Sequence, residues 1–194
     1  MRIGVLALQG AIAEHIESLT TLNVEAVPVK LPSDLDDLEA IVIPGGESTT
    51  VSKLLSDYCL FKPLRQLALQ NFPIFGTCAG MVLMAKKVFY PEIEPLGVMD
   101  IQIKRNAFGS QVNSFEVALS IPVLGCEKFH GVFIRAPVVQ KAKHTVEVLC
   151  RVEGNIVAVK QGKMLACSFH PELSGDLRFH NYFLDIIKGD DVAN

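Results

Sequence analysis

The chain has 194 residues, which suits one domain or at most two small ones. Hydrophobic residues make up 49% and charged residues 20%, a balance typical of a globular protein with a large core and not of a disordered chain. The net charge of −3, from 18 Lys and Arg against 21 Asp and Glu, lacks the basic footprint of a nucleic-acid-binding protein.

The first half of the sequence alternates between strand-like and helix-like segments. Short apolar runs predict strands at Ile3–Leu8, Val24–Val29, Ala40–Ile43 and Phe72–Phe75. Apolar residues at helical spacing predict helices over 12–22, Ser48–Tyr58, 64–68 and Ala79–Val88. The alternation predicts an α/β fold with a doubly wound, mostly parallel sheet and helices on both faces.

The second half contains further strand candidates with no long helix between them. They are Val98–Lys104, Ser114–Ile121, Gly131–Ile134, Thr145–Leu149, Ile156–Val159 and Met164–Phe169. We expect them to form antiparallel or mixed additions to the same sheet. An amphipathic helix is predicted after Ser174, and no repeat or linker is visible, so residues 1–194 are predicted to form a single domain.

The five cysteines, an odd number, include no Cys-x-x-Cys pair. A disulfide framework or a zinc ribbon is therefore not expected, and a reducing compartment is. The N-terminal segment resembles a signal peptide only in part, because Gln9 and Gly10 interrupt its apolar run. No apolar run approaches the ~18 residues that span a bilayer. We therefore expect a cytoplasmic protein.

The strongest local motif is Gly76-Thr77-Cys78-Ala79-Gly80, which follows a predicted strand and opens a predicted helix. This is the Gly-x-nucleophile-x-Gly elbow with Cys in place of Ser. It would lift the Cys78 sulfur to the carboxyl end of the sheet, at a helix N-terminus whose partial positive charge favours a thiolate. The alternative is a buried structural cysteine in a glycine-rich turn.

A cysteine nucleophile needs a base, and the base needs a group that orients it. His170-Pro171-Glu172 ends a predicted strand, and residues two apart in an extended segment point to the same side. Glu172 can then reach the His170 ring. The remaining histidines, His15, His130, His144 and His180, are interpreted as surface or satisfied side chains.

A glycine-rich turn, Pro44-Gly45-Gly46-Glu47-Ser48, follows the predicted strand Ala40–Ile43. Its N–H groups could form an oxyanion hole with the Ala79 N–H. The simpler interpretation is a strand-to-helix turn with Ser48 as the helix N-cap. Both can hold, because capping and anion binding use the same helix terminus.

Together these motifs resemble the class I, triad-type glutamine amidotransferases, and among them the glutaminase subunits of pyridoxal 5′-phosphate synthase. The Cys elbow and His-Pro-Glu belong to the whole class. The segments that narrow the resemblance to these subunits are Leu8–Gly10, Glu47–Thr50, Arg105-Asn106 and Ile134–Pro137, while Ala11, Phe108-Gly109 and Ser114–Glu116 also match. Phe133–Pro137 and Ser168–Leu173 extend the match along nearly the whole chain.

The resemblance implies a role for each matched residue. Cys78 would be the nucleophile, His170 the acid–base and Glu172 its orienter, with Gly46 and Ala79 in the oxyanion hole. The glutamine pocket would comprise Gly46, Glu47, Ser48, Arg105, Ile134 and Arg135. In that pocket Arg105 or Arg135 would bind the α-carboxylate of glutamine, and Glu47 its α-ammonium.

The resemblance also implies a partner, a synthase subunit that consumes the released ammonia in a hetero-oligomeric complex. The Gln9-Gly10 loop is the candidate contact, and docking is expected to activate the glutaminase. Neither a metal nor an organic cofactor is expected, and neither nucleic acid nor a membrane is an expected partner.

Three alternatives remain open at the level of the sequence. The first is a triad glutaminase that feeds another synthase, such as one for anthranilate or imidazole glycerol phosphate. The second is a non-catalytic regulatory or binding domain on the same fold. The third is a cysteine peptidase on a related fold, which fits less well because the pocket charges suit a small zwitterion.

Overall fold

The computed structural model describes residues 1–90, 92–105 and 114–189. Three residues of the motifs quoted above, Asn106, Phe108 and Gly109, lie outside the described residues. No helix in the described ranges is long and apolar enough to cross a membrane.

The first half folds as the predicted alternation of strands and helices. Its strands are β1 (Arg2–Leu6), β2 (Glu25–Val29), β3 (Ala40–Ile43) and β4 (Ile74–Thr77). Its helices are α1 (Ile12–Thr21), α2 (Ser48–Asp57), α3 (Phe61–Leu69) and α4 (Ala79–Met84). The four strands pair in parallel in the order β2-β1-β3-β4. Strands β3 and β4 are both buried along their whole length, and β3 is accordingly a continuous apolar run.

The second half extends this sheet with mixed pairing. Its strands are β5 (Ala85–Val88), β6 (Met99–Lys104), β7 (Ser114–Leu119), β8 (Phe129–Ile134), β9 (Val138–Ala142), β10 (Glu147–Val152), β11 (Asn155–Gln161) and β12 (Met164–Cys167). Strand β12 pairs in parallel with β4, and the order continues β11-β9-β6-β5, with β10 on β11. The chain then forms helix α5 (Arg178–Lys188).

Three expectations about the elements are wrong. The predicted helix Ala79–Val88 ends at Met84, because Ala85 takes an extended conformation and Lys86 and Lys87 lie exposed on edge strand β5, which pairs with β6. Strand β9, which the apolar pattern did not single out, lies between β6 and β11. Strands β7 and β8 do not join the main sheet but form a separate two-stranded sheet.

Two apolar layers cover the two faces of the main sheet, as the doubly wound fold requires. One layer packs α2, α3 and α4 against the sheet through residues such as Val51, Leu64 and Val82. The other packs α1 and α5 through Leu19 and Phe183 and also takes in the aromatic residues of β8. Phe133 of β8 contacts Phe169, with ring centroids 5.6 Å apart, which explains why the small β7–β8 sheet sits over this layer.

Strand β4 begins at Ile74 because the preceding Pro73 has no N–H to donate, although its carbonyl accepts the Ile41 N–H at 3.1 Å. The neighbouring strand β12 runs in register with it, with Cys167 opposite Thr77. The next residues, Cys78 after β4 and Ser168 after β12, therefore leave the sheet side by side at its carboxyl edge, where open α/β sheets bind ligands.

Candidate active site

The turn between β4 and α4 holds Cys78 in a strained backbone conformation, with φ 46° and ψ −99°. Two glycines make this turn possible. A Cβ on Gly80 would lie 2.0 Å from the Ile43 carbonyl oxygen, and one on Gly76 would lie 2.7 Å from the Gly80 carbonyl carbon. The elbow therefore requires glycine at both positions because β3 and the turn approach each other so closely.

His170 is brought to Cys78 from the end of β12. Its N–H donates to the Val132 carbonyl at 2.8 Å, and Pro171 begins a short 3-10 turn directly after it. The ring lies near the Cys78 sulfur, and the two side chains line the same cavity, while the Cys78 Sγ–H donates to the Ile134 carbonyl at 3.8 Å. On the other side Nδ1 donates to Glu172 Oε1 at 2.7 Å. The structure thus brings Cys78, His170 and Glu172 into one chain of contacts, although 91 residues separate the first two in the sequence.

The electrostatic surroundings favour a protonated imidazole at His170. Burial by itself lowers the pKa of His170, but hydrogen bonds and charges from Cys78 and Glu172 outweigh it and raise the pKa to about 10. A protonated imidazole beside the Cys78 sulfur can stabilise negative charge that develops there and can supply a proton to a leaving group.

A cavity of about 410 Å³ opens over this pair, a size typical of small-molecule sites. It is lined by every residue that the sequence assigned to a site except Glu172, which lies behind His170: Gln9, Gly10, Gly46, Glu47, Ser48, Cys78, Ala79, Arg105, Ile134, Arg135 and His170. A Cβ on Gly45 would lie 2.3 Å from the His170 ring, so glycine there keeps the imidazole in place.

The backbone N–H groups of the two residues that flank Gly46 already have acceptors. The Gly45 N–H donates to Thr77 Oγ1 at 2.9 Å, and the Glu47 N–H donates to Gln9 Oε1 at 2.8 Å. The Gly46 N–H between them has no acceptor among the described residues, and Gly46 lines the cavity. Ala79 is the first residue of α4, whose N–H has no acceptor within its own helix.

Glu47, and not Ser48, is the N-cap of α2. Its carboxylate accepts the Thr49 and Thr50 N–H groups at 3.2 and 2.7 Å. It also accepts the Arg105 guanidinium at 2.9 Å. Partial burial raises the pKa of Glu47, but the hydrogen bonds from Thr50 and Thr49 lower it to about 2. The expectation of a Ser48 cap is wrong because the longer glutamate side chain reaches both donors.

The two arginines of the predicted pocket differ in how they are held. Arg105 pairs with Glu47, donates to Thr49 Oγ1 at 3.2 Å and stacks over the Tyr90 ring at 4.5 Å. Arg135 is exposed at the cavity, in a left-handed conformation with φ 44°. Within the described residues its guanidinium makes no ion pair, unlike that of Arg105, which is paired with Glu47.

The Gln9-Gly10 loop packs directly on the glycine-rich turn. A Cβ on Gly10 would lie 1.7 Å from the Gly45 carbonyl oxygen, and the Ala11 N–H donates to that oxygen at 3.2 Å. One face of this loop therefore forms part of the cavity wall, and a molecule that docks on the loop would contact the wall directly.

Two histidines that the sequence analysis interpreted as surface or satisfied side chains lie buried behind the site. His15 on α1 and His180 on α5 are fully buried and face each other, with Nδ1 and Nε2 3.0 Å apart. Their spacing was a usable signal, because His15 precedes buried Leu19 by four residues and His180 precedes Phe183 by three. His130, by contrast, is exposed and lies 2.8 Å from Glu116, and His144 is exposed as well.

Known proteins resemble this chain over nearly its whole length. A relative from Pelotomaculum thermopropionicum, named pyridoxal 5′-phosphate synthase subunit PdxT, is 54% identical over 95% of this chain and 94% of its own. One of the same name from Moorella thermoacetica is 51% identical over 96% of this chain and 100% of its own.

Solved structures agree with the fold. A crystal structure of a glutamine amidotransferase superposes with a TM-score of 0.90 at 47% identity, covering 96% of this chain and 98% of that one. PurLQS from Thermotoga maritima, at 17% identity and a TM-score of 0.67 over 97% of both chains, shares the fold alone. The family model for SNO glutamine amidotransferases matches residues 5–188. The chain therefore belongs to the SNO glutamine amidotransferase family.

Proposed function

We propose that this chain is the glutaminase subunit of a pyridoxal 5′-phosphate synthase, with residues 1–194 acting as one glutaminase domain. The observation that carries the proposal is the buried series Cys78, His170 and Glu172 at a cavity that Arg105 and Arg135 also line. Relatives about half identical carry the synthase-subunit name, and this supports the choice of pathway.

Glutamine is the proposed substrate because the cavity matches a small zwitterion. The Arg135 guanidinium can bind the α-carboxylate, and Arg105 lines the same cavity. Backbone groups at Ile134, Gly46 and Ser48 complete the pocket. The proposed contact between Glu47 and the α-ammonium would have to be added to the hydrogen bonds that Glu47 already accepts from α2 and Arg105.

In the proposed reaction the Cys78 thiolate attacks the side-chain carboxamide carbon, and the C–S bond forms as the C=O electrons move to oxygen. The resulting oxyanion binds the N–H groups of Gly46 and Ala79. His170 donates its Nε2 proton to the nitrogen as the C–N bond breaks, and ammonia leaves. The γ-glutamyl thioester is then hydrolysed by a water that gives its proton to His170, which releases glutamate and restores the thiolate.

Glu172 acts in both steps through His170. Its carboxylate holds the Nδ1–H, so that Nε2 faces the sulfur, and it stabilises the imidazolium that waits for the leaving group. The carboxylate need not take up the proton itself.

The proposed partner is a synthase subunit that consumes the ammonia in a hetero-oligomeric complex. Direct delivery is favoured because ammonia released into water is protonated and diluted. Docking at the Gln9-Gly10 loop would act on Gly45 and Gly46, since the two segments are in contact. We place the complex in the cytoplasm, in keeping with five cysteines that are all free thiols.

The test is glutamate release from glutamine by the chain alone, and with a pyridoxal 5′-phosphate synthase subunit added. We expect little turnover alone, marked activation by the partner, and none with Cys78→Ala. Activation instead by an anthranilate or imidazole glycerol phosphate synthase would identify another acceptor. A wild-type rate from Cys78→Ala would refute the chemistry.

A second measurement tests whether the chain is a non-catalytic domain. Incubation with 6-diazo-5-oxo-norleucine, a reactive glutamine analogue, should add one label at Cys78. A chain left unlabelled in the complex would identify a domain that has kept the fold without the activity.

A further inference from the structure

Glu172 uses only half of its hydrogen-bonding capacity on His170. Its side chain is fully buried, and Oε1 accepts the His170 Nδ1–H at 2.7 Å. The other oxygen, Oε2, is also buried and accepts no hydrogen bond from the residues that the structure describes. A buried carboxylate oxygen without a donor is costly, so a group poised to donate to it stabilises the charged form.

His15 is the group in that position. Its Nε2 lies 3.4 Å from Glu172 Oε2 and 3.2 Å from Thr77 Oγ1, and the ring is fully buried. The 3.4 Å separation is longer than an ideal hydrogen bond. Hydrogen bonds of catalytic groups are often long in the unliganded state and shorten in the substrate complex.

The partners of the two rings favour a proton on Nε2 of His15. If His15 Nδ1 were the donor, it would donate to His180 Nε2. The proton of His180 would then be on its own Nδ1, which has no partner among the described residues. A buried N–H without an acceptor would result, and the His15 Nε2 lone pair would face the carboxylate. If His180 Nε2 donates instead, His15 Nε2–H points at Thr77 and Glu172, no N–H of either ring is left without an acceptor, and the His15 lone pair no longer faces the carboxylate.

Both histidines are neutral in this arrangement. Burial, with smaller contributions from His180 and His170, lowers the pKa of His15 well below its usual value. Burial lowers the pKa of His180 to about 4. The rings lie against Phe75, whose centroid is 6.1 Å from that of His15 and 5.7 Å from that of His180. Neither ring therefore adds a positive charge beside His170.

We propose that His15 is a positioning residue for the reaction: it donates from Nε2 to Glu172 Oε2, and His180 fixes its tautomer. The contact chain behind the sulfur then runs Cys78–His170–Glu172–His15–His180. The carboxylate is held from both sides, so the His170 ring keeps the orientation that directs Nε2 at Cys78. This role concerns the same active site and so rests on the proposed function.

Two replacements of His15 separate donation to Glu172 from mere filling of space. Glutamine places its amide N–H near the position of Nε2, whereas asparagine places its amide near Nδ1 and cannot reach Glu172. With the synthase subunit present, we expect His15→Gln to keep kcat within a few fold of the wild type. We expect His15→Asn to lower kcat by about 10- to 100-fold with KM unchanged, as for the loss of a hydrogen bond to a charged group.

The contradicting results are equally specific. A wild-type kcat for His15→Asn, or equal losses in both variants when thermal unfolding shows both folded, would overturn the role. So would a loss confined to KM. A wild-type chain without glutaminase activity in the complex would instead refute the proposed function.

A measurement without turnover decides the matter if either variant fails to fold. Two-bond ¹H–¹⁵N correlation spectra of the wild-type chain distinguish the two histidine tautomers, with His15 assigned from the spectrum of the variant that does fold or by selective labelling. We expect a neutral His15 ring protonated at Nε2. A ring protonated at Nδ1 would contradict the proposal whatever the kinetics.

Discussion

Two glutamates beside the same cavity are held in opposite ways. The Glu47 side chain is 36% exposed and accepts five hydrogen bonds, from the N–H and hydroxyl groups of Thr49 and Thr50 and from Arg105. The Glu172 side chain is fully buried and has one hydrogen-bond donor, His170, among the described residues.

The difference distinguishes a carboxylate with a structural role from one with a role in catalysis. A carboxylate that accepts hydrogen bonds from many donors holds the residues around it in place, and those donors already stabilise its negative charge. A buried carboxylate with a single partner exerts its charge on that partner, because the surroundings screen it little. We therefore expect changes at Glu172 to affect the chemical step, and changes at Glu47 to affect stability and binding.

The largest expected effect follows Glu172→Gln. An amide of the same shape removes the charge and permits the wrong His170 tautomer. In a Ser-His-Asp triad the corresponding change lowers kcat by about 10⁴-fold, and we expect a loss of that order here. Glutamate release by the complex measures it, with Cys78→Ala as the background. A variant within tenfold of the wild type would contradict the assigned role.

The same variant should shift the titration of His170. The wild-type imidazole is held protonated by Cys78 and Glu172, with a pKa of about 10. Without the carboxylate the imidazolium loses stabilisation, so its pKa falls and deprotonation begins at lower pH, by about 1–3 units. NMR titration of the His170 ring in the isolated chain follows this directly. An unchanged titration would mean that Glu172 does not set the charge of His170.

An intermediate effect is expected at the two arginines that line the cavity. Arg135→Met removes the guanidinium that has no ion pair among the described residues, and should raise KM for glutamine about tenfold or more while kcat changes little. Arg105→Met is the matched comparison, since that guanidinium is already paired with Glu47. A fall in kcat without a change in KM at Arg135 would place it outside the substrate pocket.

The smallest expected effect on turnover follows Glu47→Ala. The loss of the α2 N-cap should lower the free energy of unfolding by about 1 kcal/mol. Because the folded pKa of Glu47 is lowered to about 2, its contribution is fully present above its usual pKa and is lost as the pH falls towards 2.

Denaturant unfolding of both chains at several pH values checks this. The gap between wild type and Glu47→Ala should be largest near neutral pH and should close in acid. A gap that is the same at every pH would show that the charge of Glu47 contributes nothing.

The elbow and the His-Pro-Glu segment could be found in the sequence because each is a local pattern whose geometry follows from a few neighbouring residues. Cys78 needs glycine on both sides, and Glu172 follows His170 by two residues. The parallel first half was equally accessible, since buried strands are continuous apolar runs.

The features that could not be predicted from the sequence depend on long-range contacts or on competition between nearby residues. His15 and His180 meet across 165 positions, so no local pattern pairs them. Glu47 caps α2 in place of the expected Ser48 because its longer side chain reaches the N–H groups of both Thr49 and Thr50. Ala85–Val88 became a strand because pairing with β6 outweighed its helical pattern.

The central claim is that Cys78 forms a γ-glutamyl thioester during turnover. The complex of this chain with the synthase subunit, supplied with glutamine and quenched in acid, can be digested and its cysteine peptides weighed. We predict a glutamyl adduct on the Cys78 peptide and on none of the peptides with Cys59, Cys126, Cys150 or Cys167. Steady glutamate release with Cys78 never modified, or continued turnover by Cys78→Ala, would contradict it.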